Sequence, residues 1–445
     1  MKFLVPKKHT ISLVKNFHIL IYSLHFYISF SFLHNSLYIY SLPYLKSLYK
    51  DPSQSDNLAF YLTSAYTYPG IPILLFMIWK GHRFPVGPRI LISLVLQAAI
   101  MLTMPILSKY NIWIPLSLMF MNGLCTMVLQ SSLFGLASHF PPIYNQAIMG
   151  GQGWAGVIAC ASQIIVLASS ASSSDDNSSS NTTAAIAYFV FAALVMIGCA
   201  VSYIFLLRIP YSRTIMNEVE NHRLAQNNHT NTNEQETENN TMNETTTTDN
   251  DNPEFSPLLT NESSNHNHHI SIFGVFKQIW PMATTIFTVF LMTFIIFPAV
   301  MDQIPYKGDL GAALNFQALA VNHESWWLTI LLTTFNVADT IGRMLPAKLI
   351  CMNEKTLLPL TLLRFALIPL FLGCINSWSN AFNDATAILI LFVFSITNGY
   401  NASLAFMFAP SKVDNHEKQT AGFIMSFLLN AGIVIGSQIA LAFAK

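Results

Sequence analysis

The chain has 445 residues, of which 52% are hydrophobic and only 10% are charged. A soluble domain carries roughly 25% charged residues, so this composition excludes an ordinary soluble globule and makes lipid the natural solvent. The 22 basic and 22 acidic residues cancel, which argues against a nucleic acid polymer as partner, because phosphate binding needs a basic surplus.

A helix needs about 20 apolar residues to cross a bilayer. In chain order such runs are expected at residues 17–45, 58–79, 90–107, 113–138, 147–169, 184–207, 277–300, 326–346, 357–376, 386–409 and 419–443. The first is amphipathic, with His18, His25 and His34 among Ser and Tyr residues. It follows a basic start but has no small-residue cleavage site after it, so a cleavable signal peptide is not expected. Pro69 and Pro72 in the second run and Pro298 in the seventh predict kinks. Residues 169–183 form a short polar loop. Residues 208–276 are rich in Asn, Thr, Glu and His and bury too little apolar surface to fold.

The expectation is an all-α integral membrane protein of about eleven transmembrane helices in a 6+5 arrangement. Residues 1–57 are a divergent N-terminus with the first helix, and 58–207 hold helices 2–6 of an N-terminal bundle. Residues 208–276 are a disordered cytoplasmic linker, and 277–445 hold helices 7–11 of a C-terminal bundle.

Loop lysines and arginines set the orientation. With the N-terminus in the cytoplasm, the inside holds Lys2, Lys7, Lys8, Lys15, Lys80, Arg83, Arg89, Arg208, Arg213, Lys277, Lys348, Lys355, Lys412 and Lys418. The outside holds Lys46, Lys50, Lys109, Lys307 and Lys445. The linker is then cytosolic and the C-terminus outside. The sequons at Asn177 and Asn181 face outward, and those at Asn228, Asn239, Asn243 and Asn261 face the cytosol. The linker also carries His266, His268 and His269, read as part of a low-complexity tract rather than a metal site, and an acidic dileucine pattern from Glu254 to Leu258 and Leu259. Cys125, Cys160, Cys199, Cys351 and Cys374 lie in or beside apolar runs at no metal-ligand spacing and read as free thiols.

An ionisable residue at mid-bilayer costs roughly 2.5–3.5 kcal/mol on the insertion scale and usually lines a cavity or pathway. In LTILLTTFNVADTIGRMLP, Asn336, Asp339 and Arg343 recur at i, i+3 and i+7, one face of a helix. Either Asp339 and Arg343 pin this helix to a neighbour, or they form a polar wall whose carboxylate and guanidinium suit the vicinal hydroxyls of a sugar. Asn122, Thr126 and Gln130 share a face of the fourth run, either for interhelical hydrogen bonds or, at Gln130, for the edge of a nucleobase. Gly135, Gly151, Gly153, Gly156, Gly342, Gly399, Gly432 and Gly436 read as close helix packing. For Arg364, snorkelling, pairing and gating all stay open.

Four segments together resemble the equilibrative nucleoside transporter family. LQSSLFGLASHFPPIYNQAIMGGQGWAG is close to the family's LQGSLFGLAG-FP--Y---M-SGQGLAG. FPAVMD matches its FPAV, and FNVADTIGR its FN-x-x-D-x-x-GR. TNGYNASLAFMFAPSKVDNHEKQTAGFIMSFLLNAGIVIG is similar to NGY-x-x-S-L, P-x-x-V, E-x-x-x-AG and F-x-x-x-G-x-x-x-G in order. Counting weaker stretches, the similarity covers roughly residues 58–208 and 270–445. Two departures stand out: the family's P-W-N motif has no counterpart, since residues 1–57 lack Trp, and Thr126 stands where the family often has Gly.

The resemblance implies a fold related to the major facilitator fold without its last helix, and alternating access around a central site. By motif, Asp339 and Arg343 hold ribose hydroxyls, Gln130 reads the base, and Asn336 and Phe297 line the cavity. The implied solute is a nucleoside, or a nucleobase, moved facilitatively or with protons. The membrane is the plasma membrane, with an endosomal or lysosomal one as the alternative. A sugar or drug carrier of the wider superfamily and a polytopic membrane enzyme are the competing readings. No nucleotide-binding G-x-x-x-x-G-K-[ST], no G-x-S-x-G and no H-E-x-x-H is present, so no cofactor and no enzymatic activity are expected.

Overall fold

The computed structural model describes residues 58–170, 178–221, 223–224, 271–297, 300–309 and 323–443. The first expected span, residues 171–177 of the loop expected at 169–183 with Asn177, Pro298, and linker residues 225–270 with their histidines, sequons and dileucine pattern lie outside them; the rest of that expected loop, 169–170 and 178–183, is helical. The labelled helices are α1 Leu58–Thr67, α2 Gly70–Lys80, α3 Val86–Leu107, α4 Trp113–Ala137, α5 Pro142–Ser170, α6 Ser178–Arg208, α7 Ile272–Ile296, α8 His323–Met344, α9 Glu354–Leu363, α10 Ile368–Asn376, α11 Asp384–Phe408 and α12 Lys418–Phe443. Helices are what a bilayer demands of an open chain, since each satisfies its backbone hydrogen bonds internally. Asn181 sits in the first turn of α6.

Among the described residues, nine stretches are long and apolar enough to cross a membrane. The nine include every expected span from the second onward except that of α8, which is helical but made too polar by the residues of its Asn336–Arg343 face. The chain is a multi-pass all-α membrane protein.

Two spans are broken by proline. Pro69 separates α1 from α2, standing in helical geometry at φ −64° ahead of Gly70. The span at 357–376 breaks where Pro369, in the first turn of α10, cannot donate to Phe365 and crowds its carbonyl. Residues Arg364–Leu367 tighten there into a 3₁₀ turn. The seventh span ends as a helix at Ile296, with Phe297 extended at φ −102°, ψ 129°, as a residue before proline prefers.

The expected linker begins later than its composition suggests. Residues 210–221 are helical, opening on Pro210, a favourable first position. Tyr211, Ile215, Met216 and Val219 fall on one face and pack into the core, Tyr211 edge-on to Phe140 with ring centroids 6.1 Å apart. The polar average of residues 208–276 hides this short apolar stripe.

The core is one cluster at one end of the bundle and two at the other. At the first end, Phe134, Phe140 and Tyr144 from α4, α5 and the turn between them share a cluster with Val275, Phe406 and Phe423 from helices after the linker. Phe134 and Phe406 stack with centroids 4.1 Å apart. At the opposite end, Leu58, Met104, Met119 and Phe189 form a cluster confined to α1, α3, α4 and α6. Met292, Trp327, Phe371 and Phe394 form another, confined to α7, α8, α10, α11 and adjoining turns. Among the described residues, then, the two helix sets share a core at one end only.

Candidate functional site

Two crossings bring α8 against its neighbours at backbone distance. A Cβ on Gly399 of α11 would lie 2.0 Å from the Asp339 carbonyl oxygen, and one on Gly342 would lie 2.2 Å from the Ile396 carbonyl oxygen. On the other side, a Cβ on Gly153 of α5 would meet Thr340 Cα at 3.0 Å, and one on Gly156 would meet Asn336 Oδ1 at 2.0 Å. At the α11 crossing the obstacle is backbone and only glycine fits, whereas at Gly156 it is the end of the Asn336 side chain that would have to give way. Gly432 and Gly436 serve α12 in the same way against the Phe287 and Leu291 carbonyls of α7. Gly135 abuts the Phe423 side chain.

Held between α5 and α11, the polar face of α8 becomes a buried network. Arg343 Nε donates to Asp339 Oδ2 at 2.7 Å, and both residues are nearly sequestered, at 6% and 4% exposure. Asn398 Nδ2 of α11 donates to the other carboxylate oxygen at 2.8 Å. Arg343 Nη1 donates to the Met149 carbonyl at 3.3 Å and to Gln152 Oε1 at 3.1 Å on α5. Gln146 Nε2 donates to the Arg343 carbonyl at 2.9 Å. The Phe290 ring of α7 lies under the guanidinium, 5.9 Å from Cζ.

Valence is left over. A carboxylate has about four lone-pair sites and a guanidinium five N–H donors. Two of the former and Nε and Nη1 of the latter are used, and Arg343 Nη2 makes no hydrogen bond among the described residues. The pair is therefore fixed in place yet able to accept two hydroxyl hydrogens and donate to an oxygen.

The other expected site residues fall around this pair in different settings. Asn336 Nδ2 bonds the Leu332 carbonyl at 2.8 Å and Cys160 Sγ at 3.3 Å, which places its amide at the α5–α8 crossing. Phe297 stacks on Phe335 of α8 with centroids 4.1 Å apart and planes 23° apart. Gln130 is buried on α4, and its Nε2 has no hydrogen-bond partner among the described residues, an uncommon state for a buried amide. Thr126, one turn before it, accepts from Gln97 Nε2 of α3 at 3.0 Å and donates to the Asn122 carbonyl at 2.9 Å. That residue belongs to the interhelical reading. Of the cysteines, Cys351 is exposed and the other four are buried, all as free thiols.

Sequence reasoning passed over Asn398, Thr293, Gln146 and Gln152. Each is an uncharged polar side chain among others in its helix, so it lacks the charge that marks Asp339. Asn398 and Gln152 even lie within motifs already singled out.

A family model for nucleoside transporters matches residues 116–445. Equilibrative nucleoside transporter 2 of Mus musculus is 28% identical over 396 residues, covering 84% of this chain and 83% of its own. Equilibrative nucleoside transporter 1 of Homo sapiens is 29% identical over 390 residues, covering 84% and 80%. Among solved structures, the major facilitator superfamily proton:xylose symporter XylE bound to 6-bromo-6-deoxy-D-glucose aligns with a TM-score of 0.59 at 13% identity, covering 95% of this chain and 87% of that one. This last likeness is one of fold alone.

Proposed function

The chain belongs to the nucleoside transporter family, and from that premise we propose that it carries nucleosides across a membrane by alternating access, with Asp339 and Arg343 binding the ribose hydroxyls. The observation that carries this reading is the divided core: the helix sets before and after the linker share apolar packing at one end and separate clusters at the other. Such a body can rock about a site between its halves. The Asp339–Arg343 pair and its α5 partners stand where α8 meets α5, so the surfaces that must part also hold the solute. Gln130, whose amide nitrogen has no partner among the described residues, is suited to the edge of the base, and Phe297 with Phe335 to an apolar wall.

In this proposal eleven spans are arranged 6+5, the first in residues 1–57. The sealed end is cytoplasmic, as the loop lysines and arginines argue, and the membrane is the plasma membrane. Transport is facilitative. The test is radiolabelled uridine and adenosine uptake in cells without nucleoside transport of their own. Saturable uptake, unaffected by excess glucose or xylose and flat between pH 5.5 and 8, is expected. Uptake that rises steeply toward acid pH contradicts the facilitative mechanism. No uptake by surface-exposed protein contradicts the solute assignment.

A further inference from the structure

We infer that Arg364 is a positioning residue for the solute site, acting on Asp339 through Asn398. The inference rests on the nucleoside-carrier reading above.

Arg364 stands on the 3₁₀ turn that Pro369 imposes and is only 4% exposed. Its neighbours serve a cation poorly. Nη2 donates to the Phe394 carbonyl at 3.2 Å and to Asn398 Oδ1 at 3.3 Å. The Phe394 ring lies 4.6 Å from Cζ, while Nε and Nη1 have no hydrogen-bond partner among the described residues. The Asp339 carboxylate is bonded to Arg343. A residue whose task was packing would be better apolar, since replacing under-paired buried charge with hydrophobic volume is often neutral or stabilising.

What the guanidinium does is set the polarity of an amide. Asn398 can sit in either of two flipped orientations. With Oδ1 toward Arg364 and Nδ2 toward Asp339, every contact pairs donor with acceptor. Flipped, its amide hydrogens face the guanidinium and its oxygen faces the carboxylate. Thr293 does not decide the matter, because its single hydroxyl hydrogen serves either the Val289 carbonyl or Asn398 Oδ1. Arg364 thus holds Asn398 as a donor, and that donor aims Asp339 Oδ1 and fixes which lone pairs remain for a solute hydroxyl. No part of this needs Arg364 to touch the solute.

The experiment compares wild type with Arg364→Met, Arg364→Lys and Asn398→Leu in the uptake assay, and each purified variant in thermal unfolding. Arg364→Met is expected to reach the surface, to melt no lower than wild type, and to raise the KM for uridine about tenfold, as when one hydrogen bond to a charged group is lost. The rise should be much smaller for a 2′,3′-dideoxynucleoside, which lacks the hydroxyls that Asp339 meets. Arg364→Lys should recover part of the KM. The Arg364→Met, Asn398→Leu double variant should show no further rise, because both changes break one relay. A KM at the wild-type value in Arg364→Met, or an equal loss for ribosyl and dideoxy solutes, overturns the relay. Additive KM effects overturn it as well. Should Arg364→Met fail to reach the surface, Arg364→Gln, which keeps a donor without the charge, is read in its place. Wild type that moves no nucleoside overturns the carrier reading instead. The relay is then judged by the coupling between the two substitutions in thermal unfolding, where additivity counts against it.

Discussion

Asp339→Asn is expected to reach the cell surface and to lose at least about a hundredfold in uridine uptake at low concentration, since two hydrogen bonds to a charged group are each worth about 1.5–3 kcal/mol. The amide offers one acceptor where the carboxylate offers two. Either Arg343 Nε or Asn398 Nδ2, which approach at 2.7 and 2.8 Å, then faces an N–H group. The lone pairs that the proposed site offers to solute hydroxyls are lost with the charge. Asp339→Ala is the less informative change. It removes the carboxylate that balances Arg343 and leaves Arg364 as a second buried guanidinium beside it. Stripping one partner from a buried ion pair costs about 3–5 kcal/mol, so this variant should be retained in the cell as misfolded protein. Uptake by Asp339→Asn with the wild-type KM would move the solute site elsewhere while leaving the family assignment intact.

The second large effect is expected at Gly399. Replacing it with alanine puts a methyl group 2.0 Å from the Asp339 carbonyl oxygen and 2.7 Å from the Arg343 backbone nitrogen. Backbone cannot swing aside as a side chain does, so α11 must retreat from α8 by about an ångström. The Asn398–Asp339 bond is one residue away and does not survive that displacement. Overpacking of this kind costs about 1–3 kcal/mol. The expected result is a lower melting temperature in detergent together with loss of uptake. Gly198→Ala on α6 is the control: its Cβ meets nothing within 4 Å, and alanine is the better helix former by up to about 1 kcal/mol. It should melt at or slightly above wild type and transport normally. Equal stability and activity of Gly399→Ala and wild type would show that the two helices have room to spare at this crossing.

Much of this could be read along the chain because membrane helices obey local rules. Apolar run length located the helices of α1 through α12, since every backbone group in lipid must be paired within its own segment. The i, i+3, i+7 spacing put Asn336, Asp339 and Arg343 on one face, since helical periodicity needs no knowledge of a neighbour. Pro69 announced its break for the same reason. The glycines at 342 and 399 declared close packing but not their partner.

What the chain could not disclose is which helix each face meets. Asp339 and Arg343 left two readings open, a structural pin and a solute wall. Their placement shows the pin, since α5 and α11 both bond to the pair, and the unused valence is what the proposed solute site would draw on. Asn336, three residues away on the same face, is turned instead to Cys160 and Gly156. Arg364, ambiguous in sequence, acquires its partners only in the fold, where its Nη2 reaches the Phe394 carbonyl and Asn398 Oδ1 of α11. Asn398 is 59 residues from Asp339 in sequence and 2.8 Å from it in space. Periodicity specifies a face, but only the packing of helices far apart in the chain selects the partner and supplies the hydrogen bonds that burial of that face requires.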